Sequence, residues 1–472
     1  MKKLFETIQK HLKNKHLPYL FLAFFIIAVY GQVLSFDFTL FDDDWLVMEQ
    51  ETYYGNISNI FEVLSQNIIP AEYHYFRPVL IISFFVDFFI AGSTAPFFYH
   101  LTNTLLHIAV TLLLFYMLRR FFTTDKAALS WSIIFACHPV FAQAVAWVPG
   151  RNDSLLTLFT LLSFIFFLKV LKKRNILYVF LAIIFFAAAV FTKENAVFLP
   201  ALFALYLFLK YPLKAASKKD IIQMAVFFIV FAAVICAYAV LRTESIGKFL
   251  PDNPYIMLIT GIPKILIVYA GKIFLPFNLS VIPFIPDTNL ILGFSAITAC
   301  VLLITFFAKI KDKKLFIFGF AWFAAFLVPS LLSLQVIMLE HRVYLPAIGL
   351  IISFSQLYFP AVQKIPVLAK RILFIVFIVY FSGLTFAHSL SFRSPLIFWE
   401  NAVKKAPSYY AVYSNLAKVY LEIEHNLAKA GENLEKAHEL NPVQTKDKLA
   451  VIEKIKEAGG IEEYILQQQT RK

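Results

Sequence analysis

Apolar runs of about 18 residues or more recur from residue 17 to residue 390, separated by short polar loops. Each is long enough to cross a hydrocarbon core of about 30 Å as a helix. Lys and Arg concentrate in the loops between runs, and cytoplasmic loops carry an excess of both, so the basic loops set the direction of the chain. With every basic loop placed inside, the parity closes for 11 spans, at about 17–36, 99–118, 128–147, 154–171, 176–192, 196–210, 221–241, 290–308, 315–335, 344–361 and 372–390. The N-terminus is then cytoplasmic and the tail external. Two further apolar runs are laid along the membrane surface. Counting 78–98, which holds Asp87 and Gly92, as a span would put Arg119-Arg120 outside; counting 255–275, with Lys264 and Lys272, would put Lys309–Lys314 outside.

The predicted class is therefore an all-α polytopic membrane protein. Its parts are a basic cytoplasmic N-terminus (1–16), a transmembrane domain (17–391) with a long external loop (37–77), and an external tail (392–472). The first 16 residues hold five lysines and one glutamate, and the apolar run that follows lacks the short h-region and small-residue cleavage site of a signal peptide. It reads as an uncleaved signal anchor.

The tail changes character to balanced charge and helix formers. Asn401-Ala402-Val403-Lys404-Lys405-Ala406-Pro407 is echoed 35 positions later by Lys436-Ala437-His438-Glu439-Leu440-Asn441-Pro442, and Ala417 and Tyr420 fall at the small and aromatic positions of a tetratricopeptide (TPR) repeat, whose period is 34. About one and a half repeats fit, too few to stand alone. Such an array has to pack on the membrane domain or cap itself.

Composition agrees with this picture. The chain is 60% hydrophobic and 15% charged, against roughly 25% charged in soluble domains. Its net charge of +13 resides in the loops, including the cluster Lys214–Lys219, so it reads as topology rather than as a nucleic-acid surface. Cys137, Cys236 and Cys300 all sit in apolar stretches with no metal-binding spacing and read as packing residues.

Ionisable groups at the ends of membrane helices are costly and default to functional candidates. On the predicted topology they gather on the external side: Asp42, Asp43, Asp44, His74, Arg77, Arg151, Asp153, Lys193, Glu194, Glu340, His341 and Arg342, with His100, His107 and His138 at or just below that surface. Three adjacent carboxylates repel one another and need a role: a divalent cation at Asp42 and Asp43, a basic partner, or a general base of raised pKa. Arg77, Arg151, Lys193 and Arg342 are the cations that would hold a phosphate. His100 and His107, with Asn103 between them on one helical face, read as buried histidines bonded to backbone rather than as a metal site. His138-Pro139 marks a kink or cavity, since a Pro within a span frees a carbonyl.

Several motifs stand in a characteristic order: Phe41-Asp42-Asp43 with Trp45, Tyr75-Phe76-Arg77-Pro78, Tyr99-His100-Leu101-Thr102-Asn103, His138-Pro139-Val140 leading to Gly150-Arg151-Asn152-Asp153, Thr192-Lys193-Glu194, Glu340 to Tyr344-Leu345-Pro346, and the terminal repeat. Together they resemble the transmembrane and TPR-containing O-mannosyltransferases (TMTC) and their prokaryotic relatives, over about residues 17–442. The resemblance implies a GT-C bundle with a short TPR-like domain. It implies a polyprenyl-phosphate sugar donor (dolichyl or undecaprenyl), often of mannose, and inverting transfer to a hydroxyl of a protein or glycan acceptor. Asp42 and Asp43 take the place of the family's carboxylate pair, one of them as base. Arg77, Arg151, Lys193 and Arg342 then bind the donor phosphate, supported by Asp44, His100, Asn103, His138, Asp153, Glu194 and Glu340.

Two departures stand out. Gln143 occupies a place where many relatives carry Glu, and the repeat array is short. The rival readings are a transporter or flippase of a lipid-linked saccharide and a non-catalytic scaffold. The expected setting is a prokaryotic plasma membrane.

Overall fold

The computed structural model describes residues 16–64, 75–173, 175–211, 218–246, 254–332 and 337–458. The basic N-terminus before His16, His74, Lys214 to Ser217 of the basic cluster and the end of the tail after Ala458 lie outside the described residues.

The principal helices of the membrane domain are α1 (Leu17–Tyr30), α2 (Pro78–Ala91), α3 (Pro96–Met117), α4 (Asp125–Ala136), α5 (Ala142–Ala146), α6 (Arg151–Lys172), α7 (Ile176–Thr192), α8 (Leu199–Lys210), α9 (Lys218–Ile246), α10 (Pro254–Phe274), α11 (Ile291–Leu302), α12 (Lys313–Leu332), α13 (Tyr344–Phe354) and α14 (Val367–Ser389). Proline sets several of their starts. Pro78 and Pro96 open α2 and α3 at the first turn, where a missing N–H costs nothing. The tail adds α15 (Pro395–Lys405), α16 (Tyr410–Glu422), α17 (Leu427–Leu440) and α18 (Pro442–Ala458).

Among the described residues, five helices are long and apolar enough to cross a membrane: Leu17–Ser35, Pro96–Phe122, Val148–Lys172, Ile222–Ser245 and Val367–Phe392. The count rises to six if α4 and the segment Pro139–Ala146, which meet at an angle of 54° across Cys137-His138, are taken as one broken span. The chain is thus a multi-pass membrane protein, but the 11 spans drawn from hydropathy are not all full-length helices. The segments at 176–192 and 290–308 are short apolar helices, and 196–210 reduces to the 12 residues of α8. The predicted span 344–361 stops after 11 residues, because the chain beyond it turns into a strand, β2 (Leu357–Tyr358), that pairs antiparallel with β1 (Lys309–Ile310). The run 78–98 is divided by Gly92, which caps α2 in the left-handed region at φ 70°. At 14 residues α2 is about 21 Å long, too short to span.

The kink predicted at His138-Pro139 is satisfied from neighbouring helices. Thr385 of α14 donates to the Cys137 carbonyl at 2.6 Å, and His138 donates through Nε2 to the Ile273 carbonyl at 2.8 Å while its Nδ1 accepts from the Val140 amide. In a bilayer such partners are what make a broken helix tolerable. Elsewhere the core is aromatic, as in the Phe167–Phe203 stack at 4.2 Å. Gly319 of α12 and Gly349 of α13 back onto each other so closely that a Cβ on either would collide with the other's carbonyl, the small-residue contact that lets membrane helices approach.

The tail packs on the membrane domain. Phe284 stacks on Tyr409 with ring centroids 4.6 Å apart, Ser408 bonds Asp287, and the Asp37 amide donates to the Arg393 carbonyl at 3.0 Å.

Candidate active site

A polar cavity of about 120 Å³ opens where the first long loop, the start of α2, the start of α6, the α7–α8 turn and the α12–α13 turn converge. Its ionisable lining is Asp42, Arg77, Lys193, Glu194, His341 and Arg342, with Trp45, Tyr75, Trp147, Asn152 and Asn195 among its other walls. Residues up to 300 positions apart in sequence thus meet in one place.

Asp42 reaches the cavity through an unusual turn. Leu40 and Asp42 both lie in the left-handed region, at φ 54° and 69°, a conformation that costs non-glycine residues on the order of 1–3 kcal/mol each. Asp43, fully buried, ties the turn together by accepting from the Thr39 amide (2.8 Å), the Thr39 hydroxyl (2.9 Å) and the Phe41 amide (3.1 Å). The Trp147 indole donates to the Phe41 carbonyl at 2.7 Å. The two expected bases therefore separate: Asp42 faces the cavity, and Asp43 is spent within the loop. Asp44 points away, 3.5 Å from Lys418 of α16.

Burial pushes the Asp42 carboxyl up to about 6; the Trp45 indole and Arg77 hold it down, and Asp44 adds to the rise. Burial pushes Asp43 up to about 7 in spite of its hydrogen bonds from Thr39 and Phe41. As to the divalent cation expected at Asp42 and Asp43, both Asp43 oxygens already accept hydrogen bonds and Asp44 points away, so Asp42 is the one carboxylate of the triplet that lines the cavity. No group of three or more His, Cys, Asp or Glu is arranged for a metal among the described residues.

Three of the four predicted cations line the cavity. Arg77 lies 4.0 Å over the Tyr75 ring and 3.6 Å from Glu194. With the Asn152 amide oriented to satisfy both its ends, Arg77 Nη1 also donates to it at 3.0 Å. Lys193 donates to both oxygens of Asp153, at 2.7 and 3.0 Å. Burial lowers its pKa, and Asp153 opposes this. Burial alone would raise Glu194, but Arg77 and Lys193 outweigh it and hold it below the usual range.

Arg151 is not brought to the cavity. It is completely buried, 2.5 Å from Asp87, with Nε donating to Asn103 at 2.8 Å and Nη2 to the Tyr99 carbonyl at 2.7 Å. Consecutive helical residues diverge by about 100°, so at the start of α6 Arg151 turns into the bundle while Asn152 lines the cavity. Gly150 just before it is required by close approach, since a Cβ there would strike the Gln143 carbonyl.

Four more supporting residues, His100, Asn103, His138 and Glu340, lie outside the cavity lining. His100 bonds the Asp37 carbonyl at 3.3 Å, and His107 bonds the Ala136 carbonyl at 3.1 Å and the Tyr344 hydroxyl at 2.6 Å, as buried histidines were expected to do. Asn103 donates to the Trp147 carbonyl at 3.0 Å, and His138 serves the α4–α5 break. Glu340 is buried among Lys272 (2.6 Å), the Ser280 amide (2.8 Å) and His388 (2.9 Å). Burial alone would raise its pKa, but Lys272 and His388 hold it below the ordinary range.

His341 was among the ionisable candidates but was given no role, and Asn152 and Asn195 were not singled out; all three line the cavity. His341 stands against Trp147, with ring centroids 5.3 Å apart, and Gln143 fixes it. The Gln143 side-chain oxygen meets the Glu340 amide at 2.7 Å and the His341 amide and Nδ1 at 3.1 Å, while its nitrogen donates to the Val281 carbonyl. The departure noted at position 143 is thus a positioning group behind the cavity rather than a lost base within it. Burial, with the neighbouring Lys193, Arg342 and Arg77, lowers the His341 pKa well below its ordinary value.

The chain is thus a multi-pass helical protein with two carboxylates, Asp42 and Glu194, and three basic side chains, Arg77, Lys193 and Arg342, around one polar cavity. Residues 79–237 match the dolichyl-phosphate-mannose-protein mannosyltransferase family. The chain is 27% identical over 195 residues to human protein O-mannosyl-transferase TMTC4, covering 36% of this chain and 26% of that protein. It is 31% identical over 146 residues to human protein O-mannosyl-transferase TMTC1 (29% and 16%) and 34% identical over 99 residues to Drosophila melanogaster protein O-mannosyl-transferase Tmtc2 (21% and 11%). The matched stretches span about a quarter or less of these relatives' lengths. The resemblance to the TMTC O-mannosyltransferases read from the motifs is borne out.

Proposed function

We propose that this chain is an inverting GT-C-type glycosyltransferase that moves mannose, or another hexose, from a polyprenyl phosphate to a hydroxyl, that of Ser or Thr in a protein, on the non-cytoplasmic face. The observation that carries the reading is the single cavity that joins Asp42 to Arg77, Lys193 and Arg342. Similarity to a family whose name includes dolichyl-phosphate-mannose supports the donor class.

In this mechanism an Asp42 carboxylate oxygen takes the proton of the acceptor hydroxyl as that oxygen bonds to the anomeric carbon. The bond from that carbon to the phosphate oxygen breaks on the opposite face, which inverts the centre. The bonding pair leaves with the phosphate, whose charge is met by Arg77, Lys193 and Arg342. A pKa near 6 suits the base, because it is ionised at neutral pH yet more basic than an ordinary carboxylate. His341 and Asn152 would bond sugar hydroxyls, and Glu194 orients Arg77.

The test is transfer of labelled sugar from polyprenyl-phosphate mannose to a Ser/Thr peptide by detergent-solubilised protein. Asp42→Asn is expected to lose at least 100-fold in kcat; full activity of that variant would sink the assignment. Movement of the labelled lipid across proteoliposomes without sugar transfer would favour the transporter instead.

A further inference from the structure

The strained turn that aims Asp42 is held from two sides. On the membrane-domain side, Trp147 donates to the Phe41 carbonyl at 2.7 Å and its ring stacks on Phe41 at 5.1 Å. On the tail side, α15 supplies a matching pair. Phe398 stacks on the opposite flank of Phe41 at 5.5 Å, and the Trp399 indole donates to the Thr39 carbonyl at 3.1 Å. Both α15 aromatics are buried. Thr39 is also the residue whose amide and hydroxyl bond Asp43, so its carbonyl, amide and hydroxyl are all fixed, and the two left-handed residues Leu40 and Asp42 lie within two positions of Phe41.

A turn with left-handed non-glycine residues persists only where its surroundings over-determine it. The tail provides part of that determination.

We propose that Trp399 of the tail is a positioning residue for Asp42: α15 and the membrane domain together clamp the Thr39–Asp43 turn, so that the tail is a working part of the catalytic centre rather than an independent appendage. The inference rests on reading Asp42 as the base. Trp399 itself touches neither cavity nor substrate. Its effect is transmitted through Thr39 and Phe41, and a displacement of about 1 Å at a reacting group is enough to cost up to 100-fold in rate.

The experiment uses the full chain in detergent with Trp399→Phe, which keeps the buried ring and removes the indole N–H. Amide hydrogen exchange is read on peptides covering 37–46, together with kcat, donor KM and the pH profile. Exchange over Thr39–Asp43 is expected to rise about five- to tenfold, the scale of one lost hydrogen bond. Over the same comparison kcat falls by a similar factor while donor KM stays constant, because the cations are untouched, and the acid limb moves to lower pH as Asp42 gains water.

Phe398→Leu, which removes the stack but not the apolar contact, should show the same pattern if Trp399→Phe does not fold. Unchanged exchange in both variants overturns the clamp, as does a fall in kcat without faster exchange. Should Asp42→Asn retain full activity while exchange still rises in Trp399→Phe, the base assignment falls and the clamp stands. An inactive Asp42→Asn beside a Trp399→Phe of wild-type kcat and pH profile removes the positioning role alone.

Discussion

Lys193 donates to both carboxylate oxygens of Asp153, at 2.7 and 3.0 Å, and this buried pair fastens the start of α6 to the turn after α7. The same residue lines the cavity, so on the proposed mechanism one side chain has two duties, one in the fold and one toward the donor phosphate.

The two duties separate by mutation. Lys193→Met takes the ammonium partner from the buried Asp153, which costs about 3–5 kcal/mol, read as a lowered thermal midpoint. Adding Asp153→Asn should restore most of the stability but leave donor KM raised. Recovery of wild-type donor KM in the double variant would mean that Lys193 holds no phosphate.

Activity should follow the Asp42 carboxylate. Burial, with Asp44 adding to it, raises this group to about 6, and a base acts only when deprotonated. Below pH 6 kcat/KM should fall about tenfold per pH unit, with a plateau above. A rate that rises on acidification from pH 7 to 5 would contradict the assignment.

Stability should run the other way. Asp43 titrates near 7 when folded and near 3.8 in its reference state. Its raised pKa means that the folded state holds the proton more tightly between those values, so the contribution is complete below about 3.8 and is lost as pH rises through 7. The thermal midpoint should therefore be higher at pH 5 than at pH 8. Asp43→Asn should flatten that dependence while lowering the midpoint throughout, and an unaltered slope would place the titration elsewhere.

Arg151 should matter for folding and not for donor binding. Either Arg151→Met or Asp87→Leu alone strands a buried charge and should cost about 3–5 kcal/mol, whereas the double variant should recover most of it. Donor KM in the double variant should equal the wild-type value. A severalfold rise would return Arg151 to the phosphate site.

Much of this site was legible because its carriers sit at the ends of apolar runs. Asp42 follows the first run directly, and Arg77, Lys193 and Arg342 each border one, so topology alone placed them together. Arg151 shared that signal and misled, because sequence position does not report which way a helical side chain faces; Asn152, one residue on, was the cavity residue. Asp42 and Asp43 were indistinguishable in sequence, and only the turn at Leu40 and Asp42 separates them. Hydropathy likewise overstated the length of the 344–361 helix, since the β1–β2 pairing that ends it involves residues nearly 50 positions away. The His138 kink, by contrast, was readable from the proline itself.

The Asp87–Arg151 pair has a consequence for how the chain enters its bilayer. α2 leaves the ribosome before α6, carries a carboxylate in its interior, and is too short to cross by itself. It has no reason to leave the lipid headgroups until the guanidinium that neutralises it has been delivered. Burying Asp87 inside the bundle therefore requires α6, a helix synthesised after α2, to bring Arg151 to it.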